Sequence, residues 1–206
     1  MTDEPDTRTT ILLRAQELFE HKGYAAVAVR EICEACGVTK PTLYYHFADK
    51  EALYVAVLLR RLSGYRELVA PAAPGEPVRA RLKRLAAGIF SQMTTNVDVL
   101  MRDMENITNP AHHATLGAAF ASELYQPIYD AMTAGLAGGE LRAGDPALYA
   151  KLFLGVVNAF VRPQPKGGKW ASQPAPVAWA AVPGDPSARA ALVLDLLWAG
   201  LAAPGA

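Results

Sequence analysis

The sequence predicts an all-α protein of about nine helices, and three observations carry that expectation. Apolar residues recur at three- and four-residue spacing almost throughout, and no run alternates with the period of two that marks a half-buried strand. Glycine and proline fall at helix-length intervals, where helices start and stop. The 206 residues are 51% hydrophobic, ample for a buried core in one or two domains.

The elements follow in order. Ile11, Ala15, Leu18 and Phe19 share one face, so residues 8–22 form an amphipathic helix that Gly23 ends. Residues 29–36 form a second, short helix stopped by Gly37. Thr39 caps a third, and Pro41 is harmless in its first turn, where amide hydrogens lack helical partners anyway. Val38 and Leu43 flank that cap as a hydrophobic staple. Asp49 caps a fourth helix, expected from Lys50 to about Leu68. The stretch APAAPGEP, residues 70–77, then breaks the chain and is the candidate boundary. Further helices are expected near 78–95, 97–107, 114–137, 146–161 and 187–202, with Pro127 kinking or splitting the longest. Residues 163–186 hold six prolines and three glycines and read as an irregular loop. Trp170 and Trp179 argue against full disorder there, leaving a pocket lid or an embrace of a partner subunit as open readings.

The totals exclude several classes. Twenty basic and twenty acidic side chains cancel, so any anion-binding surface must be local. The polar, acidic start MTDEPDTRTT has no apolar core for a signal peptide, and no apolar run reaches about 18 residues. A cytoplasmic protein with reduced thiols and no membrane partner is expected. Cys33 and Cys36 lie at i and i+3 of a helix and read as small apolar contacts, because zinc needs about four ligands and no second pair is suitably spaced. His112 and His113, in NPAHHA, read as loop residues without a ligand set. No metal, no cofactor and no catalytic pairing of nucleophile and base is expected, hence no enzyme.

The chemistry concentrates near residue 40. Three short helices with a tight glycine turn between the second and third make a helix-turn-helix, whose second helix is presented to a DNA major groove. Leu43 and Phe47 point inward; Thr42 and Tyr45 face outward, with Lys40, Tyr44 and His46 on the flanks. Hydroxyls and an ammonium donate to phosphate oxygens, while aromatic, threonine and proline carbons touch thymine methyls. Packing of Tyr44 and His46 against the first or fourth helix is the competing reading. Farther on, LFLGVVNAFV (152–161) and ALVLDLLWAGL (191–201) are apolar nearly all round and need cover on two sides. A second copy of the chain supplies it most economically, giving a two-fold homodimer; a central core helix in a monomer is the alternative.

The run VREICEACGVTKPTLYYHFADKEAL resembles the DNA-binding signature of the TetR family of bacterial transcriptional regulators, over about residues 8–55. The later GELRAGDPALYAKLFLGVVNAF resembles that family's approach to its penultimate helix. The resemblance implies a DNA-binding domain at 1–49, the fourth helix (50–68) as connector, and a ligand-binding and dimerisation domain at 69–206. It places Thr39, Lys40, Pro41, Thr42, Tyr44, Tyr45 and His46 on the recognition helix. Lys50 would hold a backbone phosphate beside the positive end of the fourth helix. Arg30 would reach a guanine edge, or simply pair with Glu34. The chain departs from the family at Ala28, where a capping threonine is usual, at a cost of about 1 kcal/mol, and at Cys33, where alanine is usual. Residues 1–61 carry eight basic and nine acidic side chains, so strong non-specific affinity is not expected.

The implied partners are a palindromic double-stranded operator, a second copy of the chain and an unidentified small organic effector. Phe90, Met93, Met101, Met104, Phe120 and Tyr125 are the adaptable side chains such an effector would meet, and each also reads as ordinary core. Asn158 bonds across a dimer or to a ligand. The implied activity is repression relieved by ligand; a ligand-responsive activator and a non-DNA helical interaction module are the alternatives.

Overall fold

In a computed structural model the described residues are 6–92, 105, 107–161 and 182–201. All regular elements among them are helical: α1 (Thr7–Lys22), α2 (Val29–Cys36), α3 (Lys40–His46), α4 (Lys50–Leu62), α5 (Tyr65–Val69), α6 (Val78–Gln92), α7 (Pro110–Phe120), a π-turn at Ala121–Tyr125, α8 (Gln126–Ala137), α9 (Pro146–Ala159) and α10 (Pro186–Leu201). The helix expected at 97–107, the candidates Met93, Met101 and Met104, and Trp170 and Trp179 lie outside the described residues.

The chain divides into two compact units. The first takes the residues up to Arg61 together with a return segment ending at Ala118; the second takes the remainder. Packing therefore divides the chain after most of α4, whereas the resemblance implies a DNA-binding domain at 1–49 with α4 as connector. The first core joins Ile11, Ala15 and Phe19 of α1 to Ile32 of α2, Leu43 of α3, Phe47, and Leu53 and Val57 of α4. Cys33 is buried there as a small apolar contact. Burial pushes the Cys36 thiol up, with Cys33 beside it adding to the shift. The second core gathers Leu82, Leu85 and Ile89 of α6, Ile128 and Met132 of α8, Phe153 and Val157 of α9, and Val193 and Leu194 of α10.

Three departures from expectation have local causes. α4 ends at Leu62 instead of near Leu68, because Gly64 adopts φ 93° and a right-handed helix cannot pass through that conformation. The chain restarts as α5, which buries Tyr65 and Val69 in the second core. The helix expected from 114 begins at Pro110: Asn109 Oδ1 accepts the Ala111 N–H at 2.9 Å, and Pro110 loses nothing in the first turn. His112 and His113 are consequently helical, not loop residues. The break expected at Pro127 lies just before it, as the π-turn that separates α7 from α8. Pro127 cannot donate a backbone hydrogen bond, and the Ser122 carbonyl instead accepts one from Arg66 Nη2 at 2.7 Å.

α9 and α10 keep apolar side chains on the outside of the second unit. Leu148 is 53% exposed and Leu152 44% on α9, and Leu196 is 60% exposed on α10. The glycines and alanines beside them, Gly155, Ala159, Ala199 and Gly200, are exposed too.

Candidate functional site

α3 is a seven-residue helix, too short to persist alone, and the structure holds it at both ends and from beneath. Gly37 takes the left-handed conformation at φ 66°, and Val38 N–H donates to the Cys33 carbonyl at 3.0 Å, a Schellman closure of α2. Thr39 Oγ1 then accepts the Thr42 N–H at 3.3 Å and shares a 2.8 Å hydrogen bond with the Thr42 hydroxyl. Leu43 is fully buried below, and Phe47, with its N–H donating to the Leu43 carbonyl, is buried at the far end. Asp49 Oδ1 accepts the Ala52 N–H at 2.7 Å and starts α4 at once.

With those anchors inward, the other face is left to solvent. Tyr45 is 85% exposed and Tyr44 46% exposed. Lys40 and Pro41 are exposed, while Thr42 and His46 are half-buried. The His46 ring stands edge-on to Tyr45, with centroids 5.1 Å apart, and narrows the rotamers open to it. The side chains that a groove would meet thus sit on one rigid, solvent-facing element.

Lys50, at the start of α4, is half-buried, and its ammonium lies 4.4 Å from the centre of the Tyr24 ring. Burial pushes the Tyr24 phenol up, and the Glu51 and Asp49 carboxylates push it further, so the ring under Lys50 is neutral. Arg30 is exposed, with Nε 3.5 Å from a Glu34 carboxylate oxygen one helical turn on. So exposed a pair contributes little, and it leaves the guanidinium able to change partners. Ala28 provides no side-chain cap, as its residue type dictates.

Two residues here had no local signal in the sequence. Arg8, in the first turn of α1, places its guanidinium 5.1 Å from the centre of the Phe47 ring, adding a cation at the end of α3. Glu51, in the first turn of α4, accepts hydrogen bonds from Thr108, Asn109 and His112. The Thr108 amide bond foremost holds the Glu51 carboxyl down at about 2, against 4.5 ordinarily, opposed in part by burial and helped by His112. Because the folded value is depressed, the stabilisation is complete above 4.5 and drains away as pH falls toward about 2. Thermal unfolding followed by circular dichroism across that window should therefore fall more steeply for the native chain than for Glu51→Gln; parallel pH profiles would contradict this.

Of the effector candidates, Phe90, Phe120 and Tyr125 lie among the described residues, and Tyr125 packs against the core that contains Phe90. Phe90 is buried in the second core, with the Arg189 guanidinium 5.2 Å from its ring centre. Arg189 is itself buried and donates to the Pro183 and Gly184 carbonyls. Tyr125 is half-buried, stacked with Tyr129 at 6.4 Å, whereas Phe120 is an exposed residue at the end of α7. Asn158 is half-buried on α9. Among the described residues no group of three or more potential ligands could hold a metal ion, and no helix is long and apolar enough to cross a membrane.

Residues 11–57 match the family model described as bacterial regulatory proteins, tetR family. The HTH-type transcriptional regulator UidR of Escherichia coli (strain K12) is 31% identical over 109 residues, 51% of this chain and 56% of that protein. The chain spans about half the length of the curated relatives it matches. Among solved structures, a bacterial regulatory protein in the tetR family from Rhodococcus RHA1 superposes with a TM-score of 0.72 at 19% identity, over 98% of this chain and 100% of that one. AibR, in complex with isovaleryl coenzyme A and operator DNA, superposes with a TM-score of 0.66 at 21% identity, over 97% of this chain and 100% of that one. At these identities the structural likeness establishes the fold alone.

Proposed function

We infer, from the match of residues 11–57 to the model of bacterial regulatory proteins, tetR family, and from the likeness to UidR, that the chain is a TetR-family, sequence-specific DNA-binding transcriptional regulator. It acts as a homodimer and as a repressor that a small organic ligand releases from its operator. The observation that carries this reading is α3: Leu43 and Phe47 inward, Tyr45 85% exposed on the opposite side, and a capped, closed turn leading in. A chain without a partner for that face has no use for a bare tyrosine on a helix so firmly held.

Thr39, Lys40, Pro41, Thr42, Tyr44, Tyr45 and His46 meet the groove and its phosphate walls, with Lys50 on a flanking phosphate and Arg30 available to a guanine edge. Two such helices reach successive major grooves on one face of DNA when they stand about 34–36 Å apart. The exposed leucines of α9 and α10, Leu148, Leu152 and Leu196, support a two-fold pairing that sets this separation. A ligand that binds better to a dimer of different spacing weakens operator binding, and by linkage DNA weakens ligand binding by the same factor. The AibR complex, with an acyl coenzyme A and operator DNA bound, supports an organic effector for this architecture.

Selection of bound duplexes from a random pool tests the reading. An inverted repeat should be enriched, with affinity that falls as salt rises. Enrichment of nothing, or of a site without two-fold symmetry, would defeat it, and binding unaffected by salt would favour an interaction module without DNA. Release of the selected duplex on adding a small-molecule library then identifies the effector class.

A further inference from the structure

The Glu51 side chain is 13% exposed, and its carboxylate takes its donors from residues 57 to 61 positions away. One oxygen accepts the Thr108 N–H and the Thr108 hydroxyl, both at 3.0 Å. The other accepts the Asn109 N–H at 3.0 Å and a hydrogen bond from His112 Nδ1 at 2.7 Å. An ionised carboxylate is acceptor-only, so the His112 proton sits on Nδ1, and roughly four lone-pair sites are all used. Asn109 is also the cap of α7, so the carboxylate faces the amide end of that helix, where a negative charge is favoured.

Cohesion of this segment does not rest on these four bonds alone. Ile107 and Leu116 are buried in the first core, and His113 Nε2 donates to the Ile107 carbonyl at 2.9 Å, so apolar contacts hold the segment on either side. What the bonds fix is orientation, and they fix it at one place: the first turn of α4, beside Lys50. Only Phe47, Ala48 and Asp49 separate that turn from α3, and Phe47 is locked in the core. A roll of the first turn of α4 must therefore shift both Lys50 and the end of α3.

We propose that Glu51 is a positioning residue for DNA recognition, its carboxylate clasping residues 108–112 so that α3 and Lys50 are presented to DNA at one fixed tilt. The inference rests on the DNA-binding reading given above. Glu51→Gln keeps the shape of the side chain but turns an amide NH2 toward donors, so the clasp opens while the apolar contacts stay. A purely structural role lowers the melting temperature and leaves the ratio of affinities for selected and random duplexes unchanged. A positioning role lowers that ratio, because non-specific binding depends on charge and specific binding on alignment.

The experiment measures full-chain binding to the duplex selected by the native protein and to a random duplex of equal length. Glu51→Gln should weaken the first about tenfold and the second by less than about twofold. His112→Gln should lose less, and adding it to Glu51→Gln should cost nothing more, because His112 acts through the same carboxylate. An unchanged ratio overturns the proposal, as does full additivity of the two substitutions. Should Glu51→Gln not fold, His112→Gln and Thr108→Val carry the same comparison, and an unchanged ratio in both overturns it equally. Failure of the native chain to select any duplex defeats the DNA-binding reading, and this inference with it, before a variant is made.

Discussion

If the proposed dimer forms through α9 and α10, Leu196→Glu should leave the chain folded but monomeric, and lower its affinity for the selected operator at least about 100-fold. Leu196 is 60% exposed on α10, and Leu148 and Leu152 are exposed on α9. Burying such a leucine contributes about 1.5–3 kcal/mol. In a two-fold interface every substitution occurs twice, and each new carboxylate is buried without a partner, at a further several kcal/mol. Dimerisation cannot survive that sum. DNA affinity falls with it, because a second half-site held at the right distance adds a factor of about 10²–10⁴ without any new contact. In a lone chain the leucine is largely solvated, so its replacement should change stability by only about 0.5 kcal/mol. Light scattering after size exclusion gives the mass, and a mobility shift gives the affinity. A dimer that persists in Leu196→Glu would remove this face as the interface.

The features legible in the sequence are those whose physics is local. Gly37, Thr39, Pro41 and Asp49 each act within about four residues of their own position, so the turn, the cap, the proline and the next cap could be placed before any coordinates. The inward pair Leu43 and Phe47 follows from the helix period, and the outward position of Tyr45 with it. Where the reading departed from the structure, a local signal was outweighed. Asn109 and Pro110 carry the same cap-and-proline start as the segment around Thr39, but the dipeptide also reads as a turn. Ser63 and Gly64 lie within an unbroken helical pattern, and only the φ of 93° at Gly64 ends α4 there. Glu51 is the limiting case. A glutamate in the first turn of a helix is explained by the dipole alone, and nothing nearby in the chain points to Thr108, Asn109 or His112. The same holds for Arg8 over Phe47. Contacts that join distant stretches leave no periodicity behind them.

Tyr45→Ala should bind the selected duplex roughly 30-fold or more weakly while folding and dimerising as the native chain does. The stability side follows from exposure: at 85%, the side chain contributes almost nothing to the core, and it meets the His46 ring edge-on at the helix surface. The affinity side follows from symmetry. A single well-placed groove contact is worth about 1–3 kcal/mol, and a dimer loses two of them, about 2–6 kcal/mol together. Tyr45→Phe then separates the two ways the residue can act. If the hydroxyl donates to a phosphate, Tyr45→Phe weakens every duplex by a similar factor and lowers the salt dependence only slightly, since no cation is lost. If the ring packs on a thymine methyl, Tyr45→Phe binds like the native chain, and Tyr45→Ala loses preference for thymine at one position of each half-site. Competition binding against a panel of single-base variants reads both quantities at once. Native affinity in Tyr45→Ala would mean that the outward face of α3 does not meet DNA, and neither Lys50 nor Arg30 could then be placed on it by the same geometry.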